Sequence, residues 1–247
     1  MAQPRQQRHK STFITSAALS GEEIQVNVIQ DTRRVDGLGG EVWPGAHVLC
    51  HHIEQHATEL GLNTARVVEL GAGCGLCGLV AAGLKAQSVV LTDEYPDLLQ
   101  MNINLNSSWL RPGQVTASEL VWGEESVRSS GLTYDLILGS EVTQLGRSLH
   151  TPLLRTVLWL SHCKTKALFS MDVCRETCIG ECKIAKCIAS HFVHTARSLG
   201  LSVKKHPSIL LTTVASFTQS VGALGRAWPL DGDEYSTVFE LTKANQC

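Results

Sequence analysis

This 247-residue sequence lacks several features that mark particular classes of protein. Its net charge of −2 leaves no excess of basic residues, which argues against nucleic acid as a partner held through bulk charge. A charge-free stretch at 207–225 is interrupted by serine, threonine, glutamine and glycine, which excludes a membrane span. No apolar signal-peptide core follows the basic residues of the first ten positions, and there are no internal repeats or coiled-coil heptads. These absences predict a soluble globular protein with no membrane partner.

The nine cysteines are an odd number and are scattered without a secretory signal. They predict free thiols in a reducing compartment, hence a cytoplasmic protein, with the nucleus as a second location. Cys74 and Cys77 form a C-x-x-C pair, but both lie in a glycine-rich segment, where packing of small residues is the simpler explanation than redox or metal chemistry.

A second group of cysteines is spaced mainly in steps of four residues and is followed by two histidines. Such a spacing fits a zinc site or one face of a helix. We favour the helix face, and so predict no metal site, because a tetrahedral metal needs ligands that converge from more than one segment. The group comprises Cys174, Cys178, Cys182 and Cys187, followed by His191 and His194.

Short apolar runs alternate with segments of helical period through most of the chain. About five such β/α units predict a doubly wound α/β fold with a mostly parallel, seven-stranded sheet. The last strands, separated by a long loop at 222–233, should add an antiparallel edge strand. Predicted strands are 66–70, 88–92, 115–121, 134–139, 167–171, 201–205, 209–215 and 236–241; predicted helices are 44–60, 76–85, 96–106, 148–160 and 182–199; 123–131 is predicted to be a polar loop.

The division into domains is simple. Residues 1–11 are expected to be a disordered leader, and residues 12–247 a single domain. Its first part, residues 12–62, is an N-terminal extension with short strands at 12–14 and 24–29 and a helix that begins after Trp43.

The most informative segment is VVELGAGCGL at 67–76. It predicts a strand, a glycine turn and the start of a helix. The glycines let the backbone approach a ligand closely, and the first helical N–H groups are free to bind it. Asp93 lies twenty residues after Gly73 and ends the next strand, where its carboxylate can accept both hydroxyls of a ribose. The alternative role of Asp93 is a helix cap ahead of Pro96. Together these features predict an adenosine-bearing cofactor.

Two classes of cofactor use such a unit. Gly73, Gly75 and Gly78 satisfy the dinucleotide pattern, but Gly73 lies three residues beyond the strand. Glu69, inside the strand, places a carboxylate where a nicotinamide cofactor has phosphates, whereas S-adenosylmethionine carries an ammonium, a sulfonium and no phosphate. We therefore predict S-adenosylmethionine; a nicotinamide cofactor and a turn that binds no ligand are the alternatives.

Further candidate residues follow the ends of neighbouring strands, where parallel sheets bind ligands. Trp122 is placed to stack on adenine and Trp43 to cover the cofactor, although both can instead be core aromatics. Ser140 offers a hydroxyl beside them. Glu141 is the candidate catalytic residue, because a carboxylate beside the methyl group can orient an amine that must be neutral before it attacks; the alternative is a helix-start carboxylate.

At these residues the chain resembles the seven-β-strand S-adenosylmethionine methyltransferases, and more narrowly methyltransferase family 16, many of whose members methylate lysine in non-histone proteins. The resemblance implies a protein-lysine N-methyltransferase with a protein substrate, and we expect a monomer. It covers about residues 24–145, through 40–46, 68–76, 91–93, 102–106, 120–123 and 134–141. The cofactor contacts that it implies are Trp43, Gly71, Ala72, Gly73, Asp93, Trp122 and Ser140.

One departure from the family concerns the acceptor. The family follows its fourth sheet strand with an acidic residue, two others and an aromatic residue, a segment associated with the acceptor lysine. Here Glu141 keeps the acid, but Gln144 replaces the aromatic residue. Lysine methylation is the leading hypothesis; a cofactor-binding scaffold with weak or no catalysis and a small-molecule methyltransferase are the alternatives.

Overall fold

The structure is a computed structural model, and it describes residues 8–16, 23–31, 33, 39–173, 187–210 and 235–244. The strands are β1 (Arg8–Ser16), β2 (Glu23–Asp31), β3 (Arg66–Leu70), β4 (Ser88–Asp93), β5 (Val115–Glu119), β6 (Tyr134–Ser140), β7 (Ser161–Val173), β8 (Leu201–Lys205), β9 (Ile209–Leu210) and β10 (Tyr235–Lys243). The helices are α1 (Pro44–Gln55), α2 (Leu76–Gly83), α3 (Asp97–Leu105), α4 (Glu125–Ser129), α5 (His150–Trp159) and α6 (Ile188–Ser198).

The main sheet has the order β5-β4-β3-β6-β7-β10-β8, and the short β9 pairs with β10. Strands β3 to β7 pair in parallel, whereas β10 is antiparallel to both β7 and β8. The predicted α/β fold with a mostly parallel seven-stranded sheet is therefore confirmed. The antiparallel strand lies one position in from the edge. The strand order reverses between β3 and β6, and such a switch point leaves a crevice for ligands at the carboxyl ends of the strands.

Apolar side chains cover both faces of this sheet, because successive residues of a strand point to opposite sides. Within β3, Val67 packs with the layer of α1, α2 and α3, whereas Val68 packs with the layer of α5 and α6. The central strands β3 and β6 are thus buried on both sides, which explains why they read as continuous apolar runs, whereas the edge strand β5 is mostly exposed.

The N-terminal strands β1 and β2 form a separate two-stranded antiparallel sheet. Asn102 of α3 and Asn106, the C-cap residue of that helix, hold it against the domain. Asn102 accepts from the Ile29 N–H at 2.7 Å and donates to the Ile29 carbonyl, and Asn106 makes the same pair of bonds with Asn27. Strand β1 begins at Arg8, so it takes in four residues of the predicted leader.

Several predicted boundaries were wrong. Helix α1 ends at Gln55 rather than at residue 60, since turns and a 3-10 helix carry the chain onward. These turns still bury Ala57 and Leu62, so the apolar period continues after the helix has ended. The segment 123–131 is not only a loop, because the buried Val127 anchors the short helix α4.

Other predictions are only partly covered by the described residues. Helix α6 begins at Ile188, and strand β9 covers the first two residues of the predicted strand 209–215; residues 182–186 and 211–215 lie outside the described residues. The same holds for the loop 222–233. No helix in the described segments has the length and apolar character needed to cross a membrane.

The cysteines are mostly as expected. Cys50, Cys74, Cys77 and Cys187 are not disulfide-bonded, whereas Cys163 is, so the prediction of reduced thiols is wrong at Cys163. Within the described ranges, no group of three or more histidine, cysteine or acidic side chains is placed to hold a metal ion. Of the predicted cysteine group, Cys187 caps α6 by accepting the Ser190 N–H, and residues 174–186 lie outside the described residues.

Candidate cofactor and acceptor site

A cavity of about 610 Å³ opens at the carboxyl ends of β3, β4 and β6, beside the switch point. Its size is typical of a site for a small organic ligand. All the candidate residues of the sequence analysis line it. They are Trp43, Glu69, Gly71, Ala72, Gly73, Asp93, Trp122, Ser140 and Glu141.

The glycine turn after β3 needs glycine for two reasons. Gly71 has a φ of 62°, in the left-handed region. A Cβ on Gly71 would also lie 2.7 Å from Val142 Cγ1 and 2.9 Å from Trp122 Cζ2. The turn therefore passes beneath the indole of Trp122 and leaves the backbone open to the cavity.

Asp93 fixes this turn from the end of β4. Its Oδ2 accepts the Gly73 N–H at 2.9 Å, and its Oδ1 accepts the Tyr95 N–H at 3.3 Å. The alternative role as a helix cap is wrong, because α3 begins at Asp97 and its N-cap residue is Pro96. The half-buried Asp93 side chain lines the cavity, so its carboxylate is accessible to a ligand.

Glu69 is the buried acid of the site. Its side chain is 2% exposed, and its Oε2 accepts the Gly78 N–H of α2 at 2.8 Å. Burial raises its pKa to about 8, although hydrogen bonds from Gly78 and Cys77 act in the opposite direction. The side chain is therefore mostly protonated at neutral pH until a cation enters the cavity.

The charges that line the cavity all have one sign. Among the described residues, six acidic side chains contribute to the lining, and no lysine, arginine or histidine does. Such a surface attracts a cation and repels a phosphate. The lining thus fits the ammonium and sulfonium of S-adenosylmethionine and does not fit the pyrophosphate of a nicotinamide cofactor. The six are Glu41, Glu69, Asp93, Glu94, Glu141 and Asp172.

Glu141 directly follows β6 in a strained conformation, with a φ of 57°. Its side chain is 8% exposed and lies against Gly45, where any Cβ would overlap the carboxyl group. Its Oε1 has no hydrogen-bond partner among the described residues. Glu141 is the N-cap residue of the 3-10 helix at 142–145, as its alternative role expects, but its side chain makes no capping hydrogen bond there. A buried carboxyl oxygen without a partner is costly, so the geometry favours a ligand here.

Asp172 pairs with Glu141 and was missed by the sequence analysis. Burial of Glu141, followed by the charge of Asp172 and a hydrogen bond with it, raises the pKa of Glu141 well above its usual range. Two adjacent carboxyl groups in such a site hold one proton between them. The signal was present in the sequence, because Asp172 directly follows the predicted strand 167–171, as Asp93 follows 88–92.

The two tryptophans are half-buried and line the cavity, and Trp122 also packs against the core on the α5 and α6 side of the sheet. Trp43 is the N-cap residue of α1, whose first residue is Pro44. Trp122 lies over the glycine turn, and the Gly123 N–H that follows it donates to Thr156 at 2.9 Å. Ser140 accepts a hydrogen bond from Ser170 at 3.1 Å.

Two histidines support the segment after Glu141, and the sequence analysis missed them. His150 donates from Nε2 to the Thr143 carbonyl at 2.9 Å, so its Nδ1 accepts from Nδ1 of His191 at 2.8 Å. Burial lowers the pKa of His150, which keeps it neutral and able to accept. Gln144, within this segment, is exposed and lines the cavity.

The sequence of this chain is similar to those of known proteins. The family model described as lysine methyltransferase matches residues 21–178. The chain belongs to this family. The zebrafish (Danio rerio) protein N-lysine methyltransferase METTL21A is 38% identical over 161 residues, which cover 64% of this chain and 72% of that protein. The mouse (Mus musculus) protein-lysine methyltransferase METTL21E is 34% identical, over 53% of this chain and 55% of that protein.

Among solved structures, the T. thermophilus 16S rRNA N2 G1207 methyltransferase in complex with AdoMet and guanosine matches with a TM-score of 0.54. It is 13% identical, and the match covers 97% of this chain and 51% of that chain, so it supports the fold alone. With the family match, the predictions of methyltransferase family 16, of its fold and of S-adenosylmethionine as the cofactor are confirmed.

Proposed function

We propose that this protein transfers a methyl group from S-adenosylmethionine to a lysine side chain of a protein. Two observations carry the proposal. The part of the cavity formed by the described residues is lined by six carboxyl groups and no basic side chain, and a buried oxygen of Glu141 lies there with no hydrogen-bond partner among those residues. Both reactants of a lysine methylation are cations, so a negative cavity favours both. The names of the zebrafish and mouse relatives point to the same reaction.

The cofactor half of the site supports the first part of this proposal. Asp93 would accept the ribose hydroxyls, and the backbone of Gly71 would approach the methionine end without a side chain in the way. Trp122 and Trp43 would enclose the adenine, and Glu69 would pair with the ammonium. S-adenosylmethionine supplies a methyl group on a positively charged sulfur, and the carbon–sulfur bond breaks as the new carbon–nitrogen bond forms.

The acceptor half consists of Glu141 and Asp172. A lysine in water is an ammonium with a pKa of about 10.4, and it must lose a proton before its lone pair can attack. When the lysine ammonium binds, it is the second cation, after the cofactor, to lie beside the two carboxyl groups. It would therefore displace the proton that these groups share. The pair would next take one proton from the ammonium, which leaves a neutral amine. Asp172 is exposed, so it offers the route by which protons reach solvent.

A cofactor-binding scaffold without catalysis is the second candidate, and Gln144 favours it. Gln144 lines the cavity at the position where the family has an aromatic residue. Restoring an aromatic side chain with Gln144→Tyr distinguishes the two candidates. A gain from no turnover to measurable turnover would support a scaffold that has lost its activity.

The test uses recombinant protein, tritiated S-adenosylmethionine and a cell lysate. We expect label in protein, recovered as methyl-lysine after hydrolysis, and a loss of at least a hundredfold in Glu141→Gln with cofactor affinity unchanged. Label confined to small molecules would remove the protein substrate. Cofactor binding by calorimetry without label in any fraction would favour the scaffold.

Three further expectations rest on the sequence and belong to the proposal. We expect the chain, including β1 from Arg8 onward, to form a single domain that acts as a monomer. We place it in the cytoplasm, with the nucleus as a second compartment, because an odd number of scattered cysteines suits a reducing compartment.

A further inference from the structure

The exposed apolar side chains of this protein are concentrated at one place. Among the described residues, the large hydrophobic side chains with strong exposure are Tyr95 at 60%, Leu132 at 57%, Leu145 at 46% and Leu149 at 36%. Three of these, Tyr95, Leu145 and Leu149, line the mouth of the cavity, and we call them the apolar rim. Leu132 lies before β6 and does not line the cavity, so it is an exposed leucine away from the site.

The apolar rim is built by two connections that flank β3. Tyr95 belongs to the connection between β4 and α3, where its N–H donates to Asp93. Leu145 ends the 3-10 helix that follows Glu141, and Leu149 directly precedes α5. In the sheet, β4 and β6 are the two neighbours of β3, so these connections bracket the entrance from both sides.

The charge at the entrance restricts what can bind to the apolar rim. Glu94 is exposed beside Tyr95, and Glu41 is half-buried on the lining of the same cavity. In the described part of the lining, no basic side chain offsets them. A partner with carboxylates near the entrance would therefore be repelled, and one with apolar and basic side chains would be favoured.

The depth of the acceptor pair sets the shape of the partner. Glu141 is 8% exposed, so a lysine must reach inward while its own backbone stays at the mouth. In an extended chain the residues advance by about 3.3 Å each, which places the neighbours of the lysine over the rim within two or three positions. Leu145, next to Gln144, places an exposed apolar side chain beside the position where the family has its aromatic residue.

We propose that the apolar rim binds the acceptor protein through an extended segment in which apolar side chains lie within three residues of the target lysine and carboxylates are absent. This inference rests on the proposed lysine methylation and names its substrate class. Apolar residues next to the target lysine would bury the apolar rim, and the acidic lining of the cavity would disfavour acidic residues next to that lysine.

The test is an array of 13-residue peptides with a central lysine and varied flanks, incubated with the full chain and tritiated S-adenosylmethionine. We expect label on peptides with leucine, isoleucine or phenylalanine within three positions, and little on those with aspartate or glutamate there. Labelling that is independent of the apolar flanks overturns the proposal. Labelling of lysate proteins but of no peptide also overturns it, because the acceptor is then presented by a folded surface. No label in either sample means instead that the proposed function has failed.

Matched variants locate the contact. In Leu145→Ser/Leu149→Ser we expect the KM for an apolar-flanked peptide to rise about tenfold or more, with kcat and the calorimetric cofactor Kd unchanged. Leu132→Ser removes an equally large exposed leucine outside the site and should change none of these values. An equal effect of the two variants would show that the rim is not the contact. If the protein forms dimers that the double variant abolishes, while peptide selection shows no apolar preference, the rim is occupied by a second copy and the proposal is wrong.

Discussion

Binding of S-adenosylmethionine should release a proton from Glu69. The side chain is buried and has a pKa of about 8 in the cofactor-free protein, chiefly because burial disfavours its charged form. At pH 7 about nine in ten molecules therefore carry the proton. The ammonium of the cofactor would stabilise the carboxylate and lower that pKa, so binding at pH 7 should release close to one proton.

The same pKa gives the magnitude and the sign. Below pH 7 the Kd for the cofactor should rise about tenfold for each unit by which the pH falls. Above pH 8 the Kd should level off, because Glu69 is then already ionised. Without cofactor, the folded protein binds a proton that the unfolded chain has lost above about pH 4.5. Its free energy of unfolding should consequently fall as the pH rises from about 4.5 to about 8, by a total of about 5 kcal/mol from this group.

Calorimetry in two buffers with different ionisation enthalpies counts the released protons. Glu69→Gln can still accept the Gly78 N–H, but it should show no release from this site and a flatter stability profile between pH 5 and 8 in urea unfolding. Glu94→Gln removes an exposed acid at the same mouth and should leave the proton count unchanged. No release in the wild type at pH 7, or an equal release in Glu69→Gln, would refute the argument.

The other predictions concern the turn, the acceptor pair and the N-terminal sheet. Gly71→Ala should lower the free energy of unfolding by about 1–2 kcal/mol for the left-handed conformation alone, measured in urea, and weaken cofactor binding by calorimetry, because its Cβ would meet Trp122. Asp172→Asn should change the dependence of kcat on pH on the acidic side, while the cofactor Kd stays constant. An unchanged dependence there would show that Glu141 and Asp172 do not share the proton. Asn102→Ala should destabilise the fold by about 2–3 kcal/mol, since it removes one buried hydrogen bond to the Cys74 carbonyl and two bonds to the Ile29 backbone, and a loss below 1 kcal/mol would contradict this.

The cofactor half of the site could be predicted because its signals are local. The glycine turn and Asp93 lie within one β/α/β unit, so strand ends and turn chemistry suffice to bring them together. Glu69 in β3 also indicated that the ligand carries positive charge. These features depend on backbone geometry, which a short stretch of sequence determines.

The acceptor half could be predicted only in part, because it is assembled from distant segments. Glu141 was expected, but its partner Asp172 lies on the next strand of the sheet, and the pairing of β6 with β7 brings them together. His150 and His191 meet only when α5 and α6 pack on the same face. The end of α1 was predicted wrongly for a related reason. Ala57 and Leu62 are buried at a spacing close to the helical period, although they lie in turns.

The most direct test of the account is mass spectrometry of a lysate incubated with recombinant protein and S-adenosylmethionine that carries a deuterated methyl group. The account predicts deuterated methyl-lysine in protein with the wild type and its absence with Glu141→Gln, while both bind cofactor equally. Deuterated methyl-lysine that persists in Glu141→Gln, or a wild type that labels no lysine, would contradict it.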